Sequence, residues 1–97
     1  MAQVRMSVYY PQGENESFDH DYYRDTHIPL CQQTWSPLNT EIDRGLNGPF
    51  VAAVHFTFPS REAMDQAMAG EGSAALTADV PNYTTITPQM QISEVVG

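Results

Sequence analysis

The sequence contains no lysine, and its four arginines face 12 acidic residues, for a net charge of -8. A surface of that sign repels a phosphate backbone, so nucleic acid is excluded as a partner. There is one cysteine, Cys31. Without a second thiol it forms no internal disulfide, CxxC pair or zinc set, and it reads as a buried structural thiol. Long apolar runs are also missing. Nothing approaches the roughly 20 residues needed to cross a bilayer, which excludes membrane insertion. The opening MAQVRMSVYY lacks the basic start and continuous apolar run of a secretory signal, so the cytoplasm is the expected compartment. GxSxG, P-loop, GxGxxG and Ser-His-Asp spacings are absent as well, and the chemistries they carry lose their usual signatures.

What is present is 97 residues, 41% of them hydrophobic. That length implies one domain, 1–97, which buries about two-thirds of the surface its unfolded chain exposes. So small a core favours homo-oligomerisation. Residues 3–10 alternate Val4, Met6, Val8 and Tyr10 with Gln3, Arg5, Ser7 and Tyr9, the period of a half-buried strand. Asp19 is placed to cap a helix running to Trp35, which the SPL stretch then breaks. A short strand near Glu41 to Arg44 and a glycine-rich turn lead into FVAAVHFTF, residues 50–58, the least ambiguous strand of the chain. Ser60 caps a second helix carrying Ala63, Met64, Ala67 and Met68, and SAALTADV forms a further helical piece before Pro81. The final strand is read from Tyr83 to Val96, with Pro88 suited to a sheet edge.

Strand, helix, strand, strand, helix, strand folds, with right-handed crossovers, into an α+β ferredoxin-like arrangement: a four-stranded antiparallel sheet with its helices on one face. The other face is left bare. By strand phase it carries Gln3, Arg5, Ser7, Tyr9, Thr85, Thr87, Gln89 and Gln91 with Val51, Ala53 and His55. Such a mixed face suits water or a second copy's identical sheet.

The most informative stretch is FDHDYYRDTHIPLCQQTW, residues 18–35, which holds Pro29 inside a helix and His27 two positions earlier. A mid-helix proline costs roughly 3 kcal/mol. On a 100° wheel Tyr23, His27, Leu30, Cys31, Thr34 and Leu38 share the stripe expected to face the sheet, with Trp35 at its margin. Two readings of His27 are open. It is either a buried histidine bonded to a carbonyl or to Tyr23, or a cavity-lining group that binds a polar atom or moves a proton. Metal ligation fails on distance, since His20 and His27 are about 10 Å of helix rise apart. No HxH or HxxxH occurs, and Asp21 and Asp25 fall on the outward face, so no metal is expected. His55 points away from the helices on this phase. It reads first as an interface histidine and remains a candidate substrate contact, its membership of the His27 site left open. Asn82 and Tyr83, in DVPNYT, follow a proline in a loop of the kind that carries binding groups.

Together FDHDYYRDTHIPL, GLNGPFVAAVHFTFPSREAM and ADVPNYTTITPQMQISEV resemble the EthD family, named for a protein of ethyl tert-butyl ether degradation, over nearly the whole chain. The resemblance implies subunits paired sheet to sheet into a dimeric α/β barrel, and a role for the helix-one histidine, His27. Similar barrels include cofactor-free monooxygenases, isomerases, aromatic cyclases and haem enzymes, so the fold alone does not choose the chemistry. The expectation that joins both lines is a pocket between the first helix and the sheet for a small hydrophobic or aromatic metabolite. Tyr23, Trp35 and Tyr83 would form its walls, Asn82 would give a hydrogen bond, and His27 would transfer a proton in a cofactor-independent oxidation or isomerisation. The alternative is a non-catalytic accessory protein that holds an intermediate for a partner oxygenase.

Overall fold

Alternation in the first strand translates directly into a two-faced sheet in the computed structural model, which describes residues 2–97. Strand β1 (Val4–Pro11) is followed by a long first helix, α1, built of three consecutive pieces, His20–Tyr22, Tyr23–His27 and Ile28–Trp35. Then come β2 (Asn39–Arg44), β3 (Phe50–Phe58), α2 (Arg61–Ala69), α3 (Gly72–Asp79), a single tight turn Val80–Asn82, and β4 (Gln89–Glu94). The four strands form one antiparallel sheet in the order β2-β3-β1-β4. This is the ferredoxin-like α+β arrangement. In the β1–β3 ladder Met6 lies opposite Phe56 and Ser7 opposite His55, so successive pairs belong to opposite faces. Met6, Val54, Phe56 and Phe58, each at most 1% exposed, form the centre of the core on the helix side with Tyr23 and Ile28.

Both expected helix starts are capped. Asp19 accepts from the Tyr22 N–H at 3.1 Å and Ser60 from the Ala63 N–H at 3.1 Å. Gly45, after β2, has its N–H on the Val51 carbonyl at 2.8 Å. A Cβ there would lie 2.0 Å from the Phe50 carbonyl oxygen, so the position admits only glycine. Gly72 likewise lets α3 approach α1, where a Cβ would lie 2.6 Å from Thr34 Cγ2.

Two expectations need correction. The last strand begins at Gln89, not Tyr83. Pro88 has no N–H to give a ladder, and the residues before it leave the sheet to bond the loop ahead of α1. The Asp19 N–H reaches the Tyr83 carbonyl at 2.8 Å, and Thr84 Oγ1 donates to the Ser17 carbonyl at 2.6 Å. Thr85 and Thr87 are therefore not part of the bare face; Thr85 Oγ1 instead donates to Glu16.

The second correction concerns the face of α1. Tyr23, His27 and Cys31 are buried as expected, yet Leu30 is 42% and Leu38 58% exposed, Thr34 is exposed, and Ile28 is 2% exposed. The cause is the middle piece of the helix, a wide π turn in which the Ile28 N–H bonds the Tyr23 carbonyl five residues back. One extra residue in a turn shifts everything after it by about 100°. The inward stripe therefore continues through Ile28, Cys31 and Trp35 rather than Leu30 and Thr34, and Leu38 lies past the helix, which ends at Trp35 with Ser36 in the left-handed region. Pro29 stands at the start of the α-helical piece that follows, where a missing N–H does least harm.

Candidate functional site

The wide turn lets two consecutive residues, His27 and Ile28, both face inward. The His27 ring, 5% exposed as a residue, stacks on Tyr23 (centroids 5.7 Å apart, 17° between planes) and lies 4.6 Å from the Tyr83 ring. Its Nδ1 is 2.9 Å from Oδ2 of Asp79, the last residue of α3. The other carboxylate oxygen of Asp79 accepts from Tyr22 Oη at 2.7 Å and from Asn82 Nδ2 at 2.9 Å. Burial alone would raise this carboxyl's pKa. The hydrogen bonds from Asn82, His27 and Tyr22 outweigh it and hold the group below the usual aspartate value. An ionised carboxylate only accepts, so Nδ1 of His27 carries the proton toward Asp79. Its Nε2 has no hydrogen-bond partner among the described residues.

Beside this ring is a cavity of ≈ 200 Å³ lined by residues of β1, α1, α2, α3 and β4 and by the 80–88 segment. Val8, Met68, Leu76 and Met90 give it apolar walls, and His27, Trp35, Tyr10 and Tyr83 bring the polar-tipped rings. The Trp35 indole stands edge-on to Phe56 at 5.3 Å and 90°, and its N–H is spent on Ser73 Oγ at 2.9 Å. Tyr10 and Tyr83 share a hydrogen bond between their hydroxyls at 2.7 Å. Burial drives the phenol pKa of Tyr10, Tyr23 and Tyr83 upward, so all three stay protonated. Burial also pushes the Cys31 thiol up to about 12, and that sulfur is no nucleophile near neutral pH. A larger hollow of ≈ 290 Å³ lies far from these groups, between the start of β1 and the end of β4.

His27, Trp35 and Tyr83 meet at this one cavity. Tyr23 packs behind the imidazole without lining the space, its hydroxyl buried and without a partner among the described residues. Asn82 is exposed, and its side chain is engaged by Asp79 rather than turned toward the cavity. His55 lies on the opposite face of the sheet. There its Nδ1 meets Ser7 Oγ at 2.7 Å and its Nε2 meets Asp43 Oδ2 at 2.9 Å, so within one subunit the sheet separates it from His27. Among the described residues no three His, Cys, Asp or Glu side chains stand close enough to share a metal ion. Sequence reasoning missed Asp79 and Tyr10. Asp79 opens the DVPNYT stretch, directly before residues that were singled out. Tyr10 gave no signal beyond its place at the core-facing end of an alternating strand.

No protein-family model matches the chain, and no curated protein does. Solved structures match along its full length. An EthD-like protein from Ralstonia eutropha JMP134 superposes with a TM-score of 0.92 at 35% identity, covering 100% of this chain and 95% of that one. An ethyl tert-butyl ether degradation (EthD) family protein from Bacillus halodurans C-125 follows at TM-score 0.77 and 21% identity, covering 99% and 100%. SnoaB, a cofactor-independent oxygenase from Streptomyces nogalater, reaches TM-score 0.76 at 8% identity over 100% and 96%, a likeness of fold alone. With more than a third of its residues shared with the first of these across both chains, and with the same βαββαβ sheet, the chain belongs to the EthD family.

Proposed function

We propose that the chain binds a small hydrophobic or aromatic molecule in the cavity beside His27 and moves a proton on it without a cofactor. The observation that carries this reading is the His27–Asp79 pair, with Nδ1 tied to a carboxylate and Nε2 unpartnered at an apolar space. Asp79 fixes the tautomer and orientation of the ring, and its charge stabilises the imidazolium formed when Nε2 accepts a proton. Apolar walls favour an uncharged carbon acid, such as a ketone with an activated C–H beside its carbonyl. Returning the proton to a different atom of the same molecule completes an isomerisation. Alternatively, the carbanion reacts with dioxygen, a CH₂ and O₂ giving C=O and H₂O. The fold likeness to an oxygenase described as cofactor-independent is consistent with that branch. At ≈ 200 Å³ the cavity is below the roughly 300–1,000 Å³ of pockets for drug-sized ligands, which points to a molecule of one or two rings. The bare sheet face pairs with a second copy to form a homodimer, as membership of the family implies.

The test uses β-tetralone in D₂O, with deuterium entry at its activated CH₂ followed by NMR. The protein should accelerate exchange, and His27→Ala should remove roughly 100-fold or more of that acceleration while the fold persists. Exchange at the wild-type rate in His27→Ala would sink the proton-transfer reading. A second reading, a non-catalytic carrier for a partner oxygenase, draws on one observation: among the described residues no carboxylate, amine or second imidazole lines the cavity beside His27 and the two phenols, and its Ser73 and Thr77 hydroxyls donate to backbone carbonyls. Binding of β-tetralone without accelerated exchange would select it.

A further inference from the structure

Three tyrosine rings pack against one another next to His27. Tyr23 is 4.9 Å from Tyr83 and 5.4 Å from Tyr10 between centroids, and Tyr10 is 6.1 Å from Tyr83. All three are at most 3% exposed. Each phenol owns one O–H hydrogen. The single bond between Tyr10 and Tyr83 consumes one of their two, and the Tyr23 hydroxyl has no partner among the described residues. Two O–H donors are thus unspent in a site with little access to water. Buried donors without acceptors are rare in native proteins and call for an explanation.

We propose that the tyrosine cluster is the oxygen-recognition end of the cavity, and that the ligand is an apolar ring ketone. Its carbonyl oxygen accepts the unspent O–H of the Tyr10–Tyr83 pair, both members of which line the space. Tyr23, edge-on to Tyr10 at 80°, stands behind the pair with its own O–H unspent; once the ligand takes the front O–H, Tyr23 is placed to donate to the pair, which strengthens the bond in front. This deepens the reading of the cavity as a ligand site and rests on it. The chemistry of the two ends agrees. Taking a proton from carbon moves charge onto the adjacent oxygen, and preorganised donors in a dry site are worth most where that charge appears. Neutral phenols suit the task because they cannot ionise and repel it.

The sole tryptophan, Trp35, lies in the cavity wall, so its fluorescence reports binding directly. Titration of the full chain with β-tetralone, and with tetralin, a hydrocarbon of nearly the same shape without the oxygen, separates oxygen recognition from apolar fit. The ketone should bind roughly tenfold tighter or more. In the double variant Tyr10→Phe/Tyr83→Phe that preference should shrink to within about twofold, with tetralin binding showing that the cavity persists. The wild-type comparison decides even if the double variant fails to fold. Equal affinity for the two compounds in the wild type would overturn the oxygen-recognition role and leave proton transfer by His27 to its own exchange experiment. No binding of either compound would overturn both.

Discussion

Asp79 shows how much a single residue can depend on its surroundings. In sequence it is one of 12 acidic residues on a chain with four basic ones. In the structure it holds three donors at once, from α1, from its own following turn and from the His27 ring, with its side chain 13% exposed. The bonds lower its pKa in the folded state, so the direction of its pH effect follows from linkage. Its contribution to stability is fully present above the unfolded aspartate value, near 3.9, and is lost as pH falls through the lower folded value. Asp79→Asn should therefore cost about 1–3 kcal/mol at neutral pH, because the buried His27 ring and the half-buried Tyr22 hydroxyl lose a charged acceptor. Denaturant melts at stepped pH should show the gap between variant and wild type closing as the pH falls below about 4. A gap that stays constant with pH would mean that the carboxylate's charge is not what these donors use. His27 was legible in the sequence because a histidine two residues before a helical proline is conspicuous. Its partner was not, because nothing local says that the end of α3 will stand beside the middle of α1.

At the scale of the element, the wide turn of α1 is what the residue periodicity could not contain. A wheel assumes 3.6 residues per turn throughout, and it placed Tyr23, His27 and Cys31 correctly. Past the inserted residue it named Leu30 and Thr34, where Ile28 and Trp35 turn inward instead, and it ran on to Leu38 beyond the end of the helix. Pro29 was the visible symptom, in the sequence a costly mid-helix residue and in the structure the restart of the α-helix. The insertion has a testable consequence. Removing His27 leaves Ile28 four residues after Tyr23 by count, which is α spacing, so the apolar stripe stays in phase without the wide turn. Pro29 would then fall within a regular helix and cost about 3 kcal/mol. The deletion of His27 should be destabilising alone and largely rescued when combined with Pro29→Ala, as read by thermal melts followed by circular dichroism. Failure of the double variant to fold would show that the turn is required by the packing itself, rather than serving to seat the imidazole.

Across the whole molecule, the alternation of strands and helices was sufficient to read the sheet, because a period of two in residues 3–10 and 50–58 leaves only one face apolar. It could not say where the last strand begins, since the bonds that pull residues 83–85 away are to Ser17 and Asp19, more than 60 residues earlier. The same alternation defines the face that no helix covers, which carries Arg5, Ser7 and Tyr9 on β1 opposite Thr57, His55 and Ala53 on β3. Tyr9 stands toward the end of it that meets the 45–49 turn, 5.0 Å from the Phe50 ring and 5.9 Å from the His55 ring. Two copies paired by this face, as proposed, would bring Tyr9 close to its own symmetry mate's surroundings, since a two-fold interface meets itself. Each subunit also carries a net charge of -8, so association works against a repulsion that salt screens. Light scattering should therefore find a dimer that tightens as salt is raised. Tyr9→Glu removes an aromatic contact and adds a negative charge from each side to the paired surfaces, and it should shift the population to monomer at micromolar concentration with the circular dichroism spectrum unchanged. A Tyr9→Glu protein that remains dimeric at every salt concentration would place the pairing surface elsewhere, and a wild type that is monomeric throughout would remove the barrel.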